Sequence, residues 1–277
     1  MNIYYMDGKF VPADRAMVPV DDLAIIRGIG VFDLLRTYQG KPYFLEEHVT
    51  RLLHSAQEIR LALPWTHADI CRVALETLAR NTLDEANIRI IVTGGSSADF
   101  MTPSGKPRLL VLVTPLPKLP AQWYSRGVKV ITSNVRRSHP GAKSINYLPA
   151  TMGLRDAKAR DAIEVLFLDD DDNVLEGSTS NLFAFIGDRL VTPGRGILFG
   201  ITRKVVLEMA AQQYPVEIRN LPRTELLKAQ EVFITGTNKG LVPVVQIDDS
   251  KIGTGSPGAE TGNIMKLLEA HLAGFVD

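Results

Sequence analysis

Three prolines crowd one short stretch of this chain, at positions 115, 117 and 120. Proline lacks a backbone N–H and has a fixed φ, so neither a helix interior nor a sheet ladder runs through such a stretch. The chain is expected to divide there. A smaller N-terminal domain would cover 1–117, a linker 118–125, and a larger domain 126–277. A length of 277 residues suits two hydrophobic cores better than one.

On both sides of the break, short strand-like runs alternate with helical periods. In the first part, strands are expected at 3–11, 31–38, 87–93 and 108–114. A loop with a helical turn is expected at 21–30. Leu45, Val49, Leu52, Leu53, Ala56 and Ile59 recur at helical spacing, which predicts a helix over 44–62. A second helix is expected at 67–80. In the second part, strands are expected at 128–132, 163–168, 181–186, 230–235 and 241–247. The pair 163–168 and 181–186 reads as one hairpin-like unit. Helices are expected at 147–160, 202–213, 223–229 and 261–273.

Lys+Arg and Asp+Glu number 31 each, and a balanced charge argues against nucleic acid or an anionic membrane as partner. No apolar run approaches the roughly 20 residues that span a bilayer. The first residues, Met1-Asn2-Ile3-Tyr4, lack the basic start and apolar core of a signal peptide. Cys71 is the single cysteine and reads as a buried, inert thiol. A cytoplasmic protein without a metal is expected. The acidic run Asp169–Asp172 lacks the spacing and the glycine of a calcium loop and reads as a solvated turn.

Some residue groups suggest chemistry. Lys143 stands between the turn His139-Pro140-Gly141 and a helix, and burial or nearby cations can free a lysine amine for imine formation. Glu176 precedes Gly177 and a Ser/Thr cluster, and could be a carboxylate facing a ring nitrogen. Gly200-Ile201-Thr202-Arg203 opens a helix, whose free N–H groups suit a phosphate. Thr235-Gly236-Thr237-Asn238 ends a strand and could supply further donors. Arg51 could add a forked guanidinium. Taken singly, these are equally a surface lysine, a turn glutamate, an N-cap and a solvated arginine.

Together they carry a resemblance. His-x-x-Arg-Leu at 48–52, Lys-x-x-Asn-Tyr at 143–147, Glu-Gly-x-x-x-Asn-Leu-Phe at 176–183, Leu-x-Gly-Ile-Thr-Arg at 198–203 and Thr-Gly-Thr at 235–237 stand in one order. The set resembles the class IV, fold type IV, pyridoxal-phosphate enzymes. The resemblance implies a two-domain α+β or α/β fold, with a small N-terminal α/β domain and a larger C-terminal domain built on a barrel-like sheet. It implies pyridoxal 5′-phosphate as cofactor and Lys143 as the catalytic Schiff-base lysine. It pairs Glu176 with the pyridine nitrogen and Tyr147 with the ring hydroxyl. It packs Leu198 on the ring and puts Arg51, Ile201, Thr202 and Thr237 on the phosphate. It further implies a homodimer with active sites at the interface.

For the substrate, the stretch Gly94–Asp99 lacks the Arg-x-His pair usual in D-amino-acid transaminases. Arg27, Arg89 and Lys239 instead resemble the carboxylate-binding set of an atypical group of those enzymes. The expected reaction is ping-pong transfer of nitrogen from a D-amino acid, of D-alanine or D-glutamate type, to a 2-oxo acid. Branched-chain L-amino-acid or (R)-amine transamination, an aminodeoxychorismate-type lyase, and a non-catalytic cofactor or phosphate binder are the alternatives.

Overall fold

The computed structural model describes residues 1–276. The chain forms two compact units, Met1–Pro117 with Gly141–Asn146, and Lys118–Pro140 with Tyr147–Asp277. The longer segment of the first unit ends at Pro117. Two features differ from the expected division. Residues 118–125 belong to the second unit, where Gln122–Ser125 is helical. Six residues around Lys143 return to the first.

The first unit runs β1 (Ile3–Met6), β2 (Lys9–Pro12), α1 (Leu23–Arg27), β3 (Gly30–Tyr38), β4 (Lys41–Pro42), α2 (Leu45–Glu58), α3 (His67–Ala79), β5 (Ala86–Thr93) and β6 (Arg108–Pro115). The strand expected over 3–11 is thus two strands. Asp7, at φ 46°, and Gly8, at φ 89°, turn the chain between them. The long helix expected over 44–62 begins and ends within those bounds. Phe44 precedes it in the left-handed region at φ 53° and supplies no side-chain cap.

The six strands form an antiparallel sheet in the order β2-β1-β6-β5-β3-β4. Val49, Leu52 and Ala56 of α2, with Ile70, Val73 and Ala74 of α3, share one buried core with Val31, Leu35, Ile88, Ile90, Val92 and Val111 of the sheet. The helical period supplies one layer of this core and the strands the other. Each large side chain so buried contributes about 1.5–3 kcal/mol.

The second unit runs α4 (Gln122–Ser125), β7 (Val128–Ser133), α5 (Leu148–Ala159), β8 (Glu164–Leu168), β9 (Asn173–Gly177), β10 (Asn181–Ile186), β11 (Arg189–Thr192), α6 (Ile201–Ala210), β12 (Val216–Ile218), β13 (Leu221–Pro222), α7 (Arg223–Leu226), β14 (Glu231–Gly236), β15 (Gly240–Ile247), β16 (Ser250–Lys251) and α8 (Ala259–Val276). Its ten-stranded sheet has the order β12-β11-β10-β14-β15-β7-β8-β9-β13, with β16 on β15. Twist accumulated over so many strands curls the sheet into a half-barrel.

The hairpin partner of β8 differs from expectation. β8 pairs with β9, while β10 pairs with β11 and β14. The acidic run is the tight turn that makes this possible. Asp169 Oδ1 accepts the Asp171 and Asn173 N–H groups at 3.0 and 2.8 Å, and Asp172 takes φ 58°. β9 escaped the sequence reading because Asn173-Val174-Leu175-Glu176-Gly177 has no alternation: all five residues are buried.

Candidate active site

In the first unit, Lys143 is stitched to the edge of β3. Its carbonyl accepts the Phe32 N–H at 2.9 Å, and the Ile145 N–H donates to the Gly30 carbonyl at 3.1 Å. Ser144 completes an antiparallel bridge with Val31. Gly30 permits this approach, since a Cβ there would lie 2.7 Å from the Val92 carbonyl oxygen and 2.9 Å from the Ile145 side chain. The Lys143 N–H donates to Ser55 Oγ at 3.0 Å, and that hydroxyl donates to the Arg51 carbonyl at 2.7 Å. The lysine backbone is therefore held by a strand on one side and by α2 on the other.

The Lys143 Nζ lies 4.7 Å from the centroid of the Phe32 ring, and the Arg89 guanidinium carbon lies 5.0 Å from the same centroid. An amine and a guanidinium thus share one aromatic ring, as cation–π contacts allow. Arg27 ends α1, is exposed, and donates Nη1 to the Ile26 carbonyl at 2.9 Å.

Arg51 has a partner the sequence reading did not pair with it. Its Nε donates to Asp33 Oδ2 and its Nη2 to Asp33 Oδ1, both at 2.8 Å. His48, one helical turn earlier, contacts Asp33 Oδ1 through Nδ1 at 2.6 Å. Burial opposes ionisation of Asp33, but the Arg51 charge and the His48 contact outweigh it and hold the carboxyl well below its usual range. The His48 ring is pushed below its ordinary value, by burial first and by the Arg51 and Lys143 charges, against the pull of Asp33. The signal was present: His48 and Arg51 are three apart on one helix face, and a buried Asp33 interrupts an apolar strand.

In the second unit, Glu176 lies buried near the end of β9. Its Oε1 accepts Arg137 Nε at 3.0 Å and also Arg137 Nη2. Its Oε2 accepts the Leu198 N–H at 2.9 Å, with Asn181 Nδ2 at 3.4 Å. Glu176 and Leu198, predicted separately, are thus hydrogen-bonded neighbours. Arg137 was not singled out, and Asn181 entered only as part of the 176–183 motif. Arg137 is anchored by the Pro140 carbonyl at 2.7 Å. Arg203 is buried as well and donates Nη2 to the Pro193 carbonyl at 3.0 Å; burial lowers its pKa while the Glu176 charge raises it. Tyr147 is the N-cap of α5, in the second unit, and packs on the cluster of Ile131, Phe167, Leu175 and Ile197.

α6 starts at Ile201 after Gly200, with no side-chain cap. Its first amides, including Ile201 and Thr202, therefore remain donors for an anion. Asn181 Nδ2 donates to the Leu198 carbonyl at 2.8 Å, and a Cβ on Gly200 would lie 2.1 Å from Asn181 Oδ1. Only glycine fits this turn. At the end of β14, Thr235 Oγ1 and Asn238 Oδ1 are buried without a hydrogen-bond partner. Orphaned polar atoms of this kind call for a polar occupant. The uncapped α6 amides and the unpartnered Thr235 hydroxyl are donors of the kind a phosphate takes, so they fit the phosphate of pyridoxal phosphate, whereas Asn238 Oδ1 is an acceptor and is no part of that donor set. Thr237 is half-buried in the same turn.

Lys239 also has a partner. Its Nζ lies 2.6 Å from Glu164 Oε2 and 2.6 Å from Thr179 Oγ1. Glu164 is fully buried and further accepts Ser178 Oγ, Thr179 Oγ1 at 2.8 Å and Ser180 Oγ at 3.0 Å. Burial opposes its ionisation, but Lys239 and these hydroxyls lower its pKa.

The sequence comparison then identifies the family: residues 30–247 match amino-transferase class IV, and the chain belongs to it. Enzymes of this class use pyridoxal phosphate. The chain is 37% identical to a putative branched-chain-amino-acid aminotransferase of Methanocaldococcus jannaschii, over 96% of this chain and 93% of that protein. It is 30% identical to a D-alanine aminotransferase of Bacillus licheniformis, over 95% and 94% respectively. The solved branched-chain amino acid aminotransferase of Escherichia coli superposes with a TM-score of 0.91 at 26% identity, covering 97% of this chain and 94% of that one.

Proposed function

We propose that this aminotransferase binds pyridoxal phosphate and takes D-amino acids, passing the amino group to a 2-oxo acid such as 2-oxoglutarate or pyruvate. One observation carries the proposal: Lys143 Nζ and the Arg89 guanidinium flank the same Phe32 ring. That pairing offers an α-amino acid an amine at one end and a carboxylate ligand at the other. Arg27 and Lys239 complete the proposed carboxylate set. Lys239 keeps its ion pair with Glu164 in this reading, and Glu164 positions it. The similarity to D-alanine aminotransferase supports the same choice of enantiomer.

The bound cofactor would supply an electron-withdrawing ring that stabilises negative charge on the substrate α-carbon. Lys143 Nζ would attach the cofactor and would take and return the α-proton. Glu176, held by Arg137 and the Leu198 amide, would serve the ring nitrogen. Ile201, Thr202 and Thr237 would hold the phosphate, together with Arg51, which Asp33 orients. Leu198 and Tyr147 would line the ring. We further assign a homodimer in the cytoplasm, supported by exposed Val20, Ile25, Phe100 and Met101 and by a lone buried thiol.

A second reading is a branched-chain L-aminotransferase, favoured by the 37% identical relative. Turnover of paired D- and L-amino acids with 2-oxoglutarate separates the two. Faster turnover of D-alanine or D-glutamate than of their L-forms is expected; a preference for L-leucine or L-valine would overturn the stereochemical reading.

A further inference from the structure

Away from the residues above, the first turns of α2 and α3 bring three metal-ligating side chains together. We propose that Glu46, His67 and Cys71 form a binding site for a borderline divalent ion of the zinc type. His67 and Cys71 are one turn apart on the same face of α3, and Glu46 reaches them from α2. The three ligand atoms all lie within 4.8 Å of one another. His67 Nδ1 is 3.2 Å from Glu46 Oε2 and 3.7 Å from Cys71 Sγ. Atoms bound to one tetrahedral zinc at about 2.0–2.3 Å lie roughly 3.3–3.7 Å apart. The observed spacings match two edges of such a tetrahedron.

His67 Nε2 lies 3.0 Å from the Glu46 carbonyl oxygen. A metal-ligating histidine commonly donates its other ring N–H to a carbonyl, which fixes the tautomer. Nε2 also lies 3.2 Å from Thr50 Oγ1, so each tautomer has a partner; in the one that donates Nε2–H to the carbonyl, the Nδ1 lone pair faces the carboxylate and leaves room for a cation between them. A proton would give a simple ion pair. Cys71, whose thiol hydrogen-bonds Glu46 and lies against His67 Nδ1, adds a third and softer donor at the same point, which completes a set that suits a metal. Burial first, then the Glu46 charge, pushes the Cys71 thiol up to about 11. When the ion enters, the S–H bond breaks, a sulfur–metal bond forms and the proton leaves to solvent, with no change of oxidation state. Glu46 is 70% exposed and His67 35% in their side chains, so water has access to the fourth position.

Carboxylate, imidazole and thiolate together favour zinc over magnesium or calcium. The occupied site would clamp the start of α2, the helix that carries His48 and Arg51, to the start of α3.

The test uses the cofactor-loaded full-length protein. Co(II) serves as a spectroscopic probe and Zn(II) is titrated against a chromophoric chelator. One ion per chain is expected, with a thiolate-to-cobalt charge-transfer band that vanishes in Cys71→Ser. His67→Ala and Cys71→Ser should each weaken zinc binding by roughly 100-fold or more. Glu46→Gln, at an exposed side chain, should weaken it without disturbing the fold, and basal transamination without metal should be unchanged in all three. Absence of the thiolate band in the parent protein, or zinc binding unaltered by Cys71→Ser and Glu46→Gln, would overturn the assignment.

Discussion

Each unit buries a strand carboxylate that tethers a cation, but the two do so differently. In the first, Asp33 takes both of its main partners from α2: a forked arginine and a histidine. In the second, Glu164 takes one lysine and three hydroxyls. A guanidinium only donates, so its partner must be an acceptor. Hydroxyls rotate and can either donate or accept. The first arrangement is rigid in geometry and in charge. The second is more tolerant of a neutral replacement. Both cations, Arg51 and Lys239, were expected to be ligand-binding residues, and each is positioned by an acid that a reading of the cation alone overlooks.

The largest expected effect lies beside the first arrangement. Lys143→Ala should lower turnover by at least about 1,000-fold, because the proposed function makes one side chain both the attachment amine and the proton carrier. Its far-ultraviolet circular dichroism should stay native. Retained transaminase activity would refute the role given to this residue.

Next comes Asp33→Ala, which leaves Arg51 buried beside an unpartnered histidine. A loss of about 3–5 kcal/mol is expected in urea unfolding. Glu164→Gln should cost less, about 1–3 kcal/mol, because Ser178, Thr179 and Ser180 can reorient toward the new amide. Equal losses at the two sites would remove the distinction drawn above.

Acid sharpens the comparison. Both carboxyls have lower pKa values folded than unfolded. Their stabilisation is therefore complete above the unfolded values, about 3.9 for Asp and 4.3 for Glu, and fades as pH falls through the lower folded ones. The stability gap between the parent protein and Glu164→Gln should narrow below about pH 4. A gap that widened in acid would reverse the sign argued here.

The smallest effect is expected at Ser55, which joins α2 to the Lys143 backbone. Ser55→Ala should cost about 1 kcal/mol and lower turnover more than it changes KM, since the lysine is displaced rather than the substrate site.

Much of the scaffold was legible in residue order. Apolar spacing marked α2, because a half-buried helix imposes its own period on the chain, and short apolar runs marked β5 and β6. The prolines at 115, 117 and 120 lie around the end of the first unit's longer segment, and the stretch after them belongs to the second unit. β9 was missed because burial on both faces erases that period. α1 appeared only as a loop with a turn, although Asp22 caps it by accepting the Ala24 N–H at 2.8 Å.

The site divides along the same line. The roles proposed for Lys143, Glu176 and the Gly200–Arg203 turn rest on residue type and order along the chain. Residue order alone already specified a class IV aminotransferase. Three things became visible only once the chain had folded: the return of 141–146 to β3, the grip of Arg137 on Glu176, and the tethering of Arg51 by Asp33 and of Lys239 by Glu164. These pairings join residues far apart in the chain. Strand register and burial decide them, and a list of residues contains neither.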